Sequence, residues 1–148
     1  MITINISEQT LKYKDKSYLI SSALNGVGEV EGSYCTPIGK FKIYTKVGQD
    51  LPDNSVLVSR QATGEIYNKA LSIQHPDRDW ILTRILWLEG SEERNQNTKD
   101  RYIYIHGSPD ETIMGKPGSK GCIRMRNKDV VELFENVQIG EDVVIMKS

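Results

Sequence analysis

The sequence predicts a mostly β domain carrying one helix near its C-terminus. Three observations predict it. Short apolar runs with period-two alternation recur from the first residues onward, as in Ile2, Ile4 and Ile6. Glycine- and proline-bearing turns separate these runs. Only one stretch, Lys128 to Val137, places apolar residues at clear helical spacing. With 148 residues, 38% hydrophobic and 26% charged, the chain is long enough to bury one core. No repeat, linker or low-complexity segment divides it, so a single domain over 1–148 is expected.

The chain opens as a strand through Ile2, Ile4 and Ile6, and Tyr18-Leu19-Ile20 follows a turn around Lys14-Asp15-Lys16. Gly26, Gly28 and Gly32 punctuate a loop that leads into Thr36-Pro37-Ile38-Gly39-Lys40-Phe41, after which Phe41 to Tyr44 reads as a strand. Val56-Leu57-Val58, Leu71-Ser72-Ile73, Ile81-Leu82 and Ile85 to Leu88 are further short apolar runs within this β-rich part. Glu89 to Asp100 is polar throughout and reads as a mobile surface loop. Arg101 to His106 resumes strand periodicity, with Ile103 and Ile105 on one face and Tyr102, Tyr104 and His106 on the other. Asn127 suits the cap of the late helix and Asp129 complements its dipole. Val130, Leu133, Phe134 and Val137 then face the core, Gly140 turns the chain, and Val143 to Met146 closes it as a strand.

Nineteen basic against twenty acidic residues leave a net charge of −1, which carries no electrostatic footprint for nucleic acid or anionic lipid. No apolar run approaches the length of a membrane span. The opening residues hold no basic and apolar leader pattern. The expected compartment is therefore the cytosol if Met1 is the native start, and the periplasm or cell wall if the chain has been trimmed. The two cysteines, Cys35 and Cys122, are not expected to form a disulfide in a cytosolic chain. With two histidines and no close ligand spacing they make a poor metal site, so neither metal nor organic cofactor is expected.

The chemistry concentrates in Ser119-Lys120-Gly121-Cys122-Ile123-Arg124, with His106 upstream at the end of a strand pattern. A free thiol is only about 3% thiolate at pH 7, and a neighbouring imidazole raises the reactive fraction by taking its proton. Gly121 permits a tight turn, and the N–H groups of Gly121 and Cys122 are candidates for an oxyanion hole. In an extended segment Cys122 and Arg124 share a face, with Ile123 and Met125 inward, so Arg124 stands beside the thiol as a fork for a carboxylate or a brace for the loop. Tyr104 shares the face of His106 and is a further candidate. His75 reads as a turn residue, Cys35 as packing, and Trp80 and Trp87 as core or pocket wall.

These residues resemble the signature of the L,D-transpeptidase catalytic domain family. That pattern is a His-Gly, a spacer, then Ser/Thr-X-Gly-Cys followed by an apolar residue and Arg. Here it stands as His106-Gly107 and Ser119 to Arg124, and Thr36 to Phe41 matches the family's Thr-Pro-X-Gly-X-Phe element in the right order. The resemblance spans nearly the whole chain and implies a β-sandwich. It also implies Cys122 as nucleophile, His106 as its base, the Gly107 carbonyl as the group orienting the imidazole, Ser119 as support for the turn, and Arg124 as a positioner of substrate or loop. One departure is Lys120, where many members carry histidine. A lysine in that place is a charge that favours the thiolate rather than a spare base, leaving His106 as the base in the motif.

The resemblance further implies a thioester acyl-enzyme formed on peptidoglycan stem tetrapeptides or muropeptides. The bond attacked joins the L-centre of diaminopimelate, or an equivalent third residue, to terminal D-alanine. An amine acceptor gives a 3-3 cross-link and water gives L,D-carboxypeptidase activity. A cytosolic start tilts the expectation toward hydrolysis. A sortase-like transpeptidase is the rival enzyme, disfavoured because Arg124 lies only two residues past Cys122. The rival outside enzymology is a cell-wall-binding module with an inactive site.

Overall fold

Alternating apolar residues organise the computed structural model, which describes residues Met1–Ser148, from its first strand onward. The order is β1 (Ile2–Asn5), β2 (Thr10–Tyr13), β3 (Lys16–Leu19), β4 (Gly39–Val47), β5 (Ser55–Val58), β6 (Gln61–Ile66), α1 (Lys69–Gln74), β7 (Leu82–Gly90), β8 (Tyr104–Ser108), β9 (Ile123–Arg126), α2 (Asn127–Asn136) and β10 (Asp142–Met146). The strands join in one hydrogen-bonded sheet of order β3-β2-β1-β10-β4-β7-β5-β6, with β8 branching from β7 and β9 pairing beyond it. Most pairs are antiparallel, but β1 runs parallel to β10 and β8 parallel to β9. Ser21, just past β3, exchanges both backbone hydrogen bonds with Arg124, at 3.0 and 2.9 Å. That bridge curls the sheet upon itself into the predicted sandwich, around a core of 21 buried residues supplied by its strands, α2 and residues flanking them.

Helix α2 covers the core through Val130, Leu133 and Phe134, as the helical spacing predicts. Each such side chain contributes roughly 1.5–3 kcal/mol by leaving water. Its cap differs from the expectation. Arg126 occupies the N-cap without a side-chain bond, and Asn127 turns inward, donating to Asn54 Oδ1 at 2.8 Å and accepting from Thr83 Oγ1 at 2.7 Å. A buried network outcompetes the local cap because it satisfies more polar groups away from water.

Three further expectations are corrected. Leu71 to Ile73 folds within helix α1 rather than as β, with Asn68 Oδ1 accepting the Leu71 N–H at 2.9 Å. A three-residue apolar run carries no period of its own, and the cap decides it. The 89–100 segment is not a free loop. β7 continues to Gly90, short 3-10 turns follow at Glu93–Asn95 and Lys99–Arg101, and Asn95 and Thr98 are fully buried. The Asn95 amide donates to the Lys40 carbonyl at 3.1 Å while its oxygen accepts the Glu92 N–H at 3.0 Å. Polar anchors thus replace apolar ones. The strand carrying His106 starts at Tyr104, because Tyr102 is left-handed at φ 56°. Ile81-Leu82 and Ile85 to Leu88 prove nearly continuous, with Leu82–Gly90 forming one strand that is irregular between Leu82 and Ile85. No helix is long and apolar enough to cross a membrane.

Candidate active site

Parallel pairing of β8 with β9 sets the site. Ile105 lies opposite Ile123 and His106 opposite Arg124, so one residue earlier Tyr104 faces Cys122. Because strand side chains alternate, Tyr104, His106, Cys122 and Arg124 share one face while Ile105, Ile123 and Met125 enter the core. Cys122, in the bend just before β9, therefore lies diagonal to His106 on β8.

The turn before β9 aims the thiol. Gly121 sits at φ +129°, and a Cβ there would meet the Cys35 carbonyl oxygen at 3.2 Å, so both conformation and close approach call for glycine. Ser119 is buried. Its hydroxyl donates to the Cys122 carbonyl at 2.5 Å and accepts the Gly121 N–H at 3.1 Å. Ser119 thus braces the turn rather than lining a groove, and in this conformation the Gly121 N–H is already engaged. From the other motif, buried Thr36 donates to the Gly121 carbonyl at 2.9 Å and accepts the Ala23 N–H at 3.0 Å. The two separate motifs thereby meet behind the thiol.

His106 is 1% exposed, and its Nδ1 lies 2.6 Å from the Gly107 carbonyl oxygen. A carbonyl only accepts, so this contact assigns the proton to Nδ1 and leaves Nε2 as the basic nitrogen. Gly107 is fixed in turn by a lack of room, since a Cβ there would stand 2.4 Å from Asn127 Oδ1 and 2.5 Å from the Leu82 carbonyl oxygen. Thr83, buried at φ 75°, supports the same corner by donating to Asn127 and accepting the Asn54 N–H at 3.0 Å. Positive φ is rare for a β-branched residue, and here a buried network holds it.

Burial acts against charge on both Cys122 and His106. Burial pushes the Cys122 thiol up to about 12; the Tyr104 N–H opposes this, Asp79 adds to it, and Arg124 and Arg101 oppose it. Burial also lowers His106, against the pull of Asp79 and the Gly107 carbonyl. The sulfur accepts the Tyr104 N–H and donates to the Tyr102 carbonyl, each at 3.4 Å. The thiol faces a cleft of about 460 Å³ whose walls include Leu57 and Arg60 from the β5–β6 hairpin, Asp79, Arg101 to Tyr104, and Lys120. A second arm of about 340 Å³ runs between Pro76 to Trp80 and Pro109, Thr112, Lys120 and Arg124. Asp79 and Lys120 line both arms.

The other predicted residues take definite places. Tyr104 is buried, and its hydroxyl accepts from Arg60 at 3.1 Å. Arg124 donates to the Gly118 carbonyl at 3.0 Å and to Asp79 at 3.3 Å, bracing the loop and pinning the opposite wall. His75 caps the end of α1 and Trp80 lines the second arm. Cys35 and Cys122 are both free thiols. No group of three or more His, Cys, Asp or Glu is placed to hold a metal. Sequence reasoning missed Asp79, Arg60 and Arg101. Nothing in Pro76 to Trp80 distinguishes Asp79 from a turn residue, and the two-residue tip Ser59-Arg60 of the β5–β6 hairpin contains no glycine to mark it.

Comparison with known proteins follows the same outline. The sequence matches the L,D-transpeptidase catalytic domain family over residues 1–145. YqjB of Bacillus subtilis (strain 168), whose name assigns it provisionally to the L,D-transpeptidases, is 33% identical over 79% of this chain and 60% of its own length. YkuD of the same organism, named in the same way, is 54% identical over 41 residues, 28% of this chain and 25% of its own length. An L,D-transpeptidase from Xylanimonas cellulosilytica superposes with a TM-score of 0.59 at 20% identity, over 98% of this chain and 59% of that one. L,D-transpeptidase 3 from Mycobacterium tuberculosis gives a TM-score of 0.58 at 18% identity, over 98% of this chain and 59% of that chain. At such identities these structures speak to the fold. The chain spans about 60% of the length of YqjB.

Proposed function

The chain belongs to the L,D-transpeptidase catalytic domain family, and from that premise we propose that it is a cysteine acyltransferase acting on peptidoglycan stem tetrapeptides. The observation that carries the reading is Cys122, in the bend just before β9, lying diagonal to His106 on β8 and lining a cleft, with His106 Nδ1 tied to Gly107. In the proposed reaction Nε2 of His106 takes the thiol proton as sulfur attacks the carbonyl between the third residue and terminal D-alanine. The Cys122 N–H, joined by that of Gly121 once Ser119 releases it, faces the developing oxyanion. His106 returns the proton to the departing D-alanine amine, and a thioester remains on Cys122. An amine or water then attacks the thioester, the C–S bond breaks, and the thiol is regenerated.

A neutral resting pair suits a general-base route, in which ionisation accompanies attack rather than preceding it. Incubating a diaminopimelate-containing tetrapeptide with wild-type and Cys122→Ala protein, and following it by mass spectrometry, tests the reading. The expected result is Cys122-dependent loss of D-alanine with a transient acyl adduct on the protein. Tripeptide as sole product marks a carboxypeptidase, and an amine-exchanged or cross-linked product marks a transpeptidase. Equal turnover by both proteins, or none by either with an amine present, overturns the reading.

A further inference from the structure

The cleft carries a charge pair that the proposed acyl transfer does not use. Asp79 and Arg124 meet at 3.3 Å, with side chains 34% and 21% exposed, so a ligand can reach both. The pair makes this contact through Asp79 Oδ1, while the other guanidinium nitrogen of Arg124 is held by the Gly118 carbonyl. Arg124 is thereby oriented and Asp79 retains acceptor capacity. Asp79 is also the one carboxylate on the wall of the thiol arm. Of the neighbouring cations, Lys120 lines both arms with no bonded partner, whereas the two arginines of the thiol arm are committed. Arg60 bonds Tyr104 and stacks on Trp87 and Tyr102, and Arg101 bonds the Gly28 and Cys35 carbonyls.

Asp79 opposes ionisation of Cys122 even with Arg124 beside it, and a ligand cation on Asp79 would relieve that opposition. Spacing supplies the ligand's dimensions. Cys122 and Arg124 point to the same face two residues apart, about 6.6 Å along an extended chain. In diaminopimelate three methylenes separate the carbon beside the scissile carbonyl from the far amino-acid centre, a span of about 5 Å with carbon–carbon bonds of about 1.5 Å.

We propose that Asp79 and Arg124 together receive a free amino-acid head group at the far end of the third stem residue, its ammonium on Asp79 and its carboxylate on Arg124. The inference rests on the stem-peptide reading above and names the feature of that substrate that is selected. The bound head group exchanges one ion pair for two, each charge meeting its opposite in a partly desolvated cleft. Asp79 is then a specificity-determining residue.

The test uses three tetrapeptides that differ only at the end of the third side chain: the free head group, its carboxamide, and the analogue lacking the amine. Wild-type protein is expected to prefer the head group by about tenfold or more over either analogue in kcat/KM for D-alanine release, mainly through KM. Asp79→Asn is expected to erase the preference over the amine-free analogue while keeping that over the carboxamide, and Asp79→Glu to restore part of it. A uniform loss across all three peptides, which a merely structural role produces, overturns the proposal, as does the absence of discrimination by wild-type protein. Equilibrium binding of the same peptides to Cys122→Ala protein separates this inference from the reaction. Discriminating binding without any wild-type turnover leaves the head-group site standing and removes the reaction. Turnover without discrimination does the reverse, and neither turnover nor discriminating binding removes both.

Discussion

Cys122 combines a reactive residue type with an environment that keeps it quiet. Cys122 is half-buried, its thiol donates to the Tyr102 carbonyl, and burial pushes the thiol up and the imidazole of His106 down. Thiolate, not thiol, is alkylated. In a Cys35→Ala background, the rate of iodoacetamide labelling of free protein is expected to climb between pH 7 and pH 10, by up to roughly tenfold per pH unit. A plateau at or below pH 7 would reveal a preformed thiolate–imidazolium pair and refute the neutral resting state. At this scale the sequence was legible wherever a residue type and its immediate neighbours decide the outcome. Gly121, Cys122 and the His106-Gly107 step are of that kind. Asp79 was not legible, because its meaning comes from Arg124, brought to it from 45 residues away.

Among the elements, the β5–β6 hairpin bears most directly on the cleft. Its tip residues, Ser59 at φ 50° and Arg60 at φ 64°, form a two-residue turn with both centres left-handed and no glycine, a conformation that costs energy in side-chain-bearing residues. Contacts beyond the hairpin offset that cost. The Arg60 guanidinium lies 5.0 Å from the Trp87 ring centre and 4.9 Å from that of Tyr102, besides bonding Tyr104. Each cation–π contact is worth roughly 0.5–1 kcal/mol at an exposed site. Arg60→Ala is accordingly expected to speed amide hydrogen exchange across residues 55–66 by roughly fivefold, an opening cost lowered by about 1 kcal/mol, with little change elsewhere. Unchanged exchange in the hairpin would show that Arg60 does not hold it down. The strands and α2 were legible here through their periods. Helix α1 and the 89–100 turns were not, because their anchors are single polar side chains, Asn68 and Asn95, whose partners are set by local caps or by distant backbone.

Across the whole molecule, the curled sheet buries His106 beneath the same strands that position it. Its depressed basicity links the site to folding. The unfolded imidazole titrates near 6.5 while the folded one stays neutral to lower pH, so stability is full above about pH 6.5 and is lost as pH falls toward the folded value. From this group alone the loss cannot exceed about 1.4 kcal/mol per pH unit. Denaturant unfolding at pH 7 and pH 5 is expected to show a smaller acid loss for His106→Gln than for wild type. Equal losses in both proteins would place the acid sensitivity in other groups.

What the sequence determined by itself was local or periodic. It specified the β-rich class from alternation, α2 from helical spacing, a tight turn from glycine beside cysteine, and the family from two motifs in order. Only the tertiary structure decided how those motifs meet. It set Thr36 against Gly121, placed His106 diagonal to Cys122, moved Asn127 from a helix cap to a buried brace under Gly107, and paired Asp79 with Arg124. The physical reason is range. Backbone propensity and side-chain period act within a few residues of a position. Desolvation, parallel-strand register and ion pairing depend on what the folded chain brings alongside.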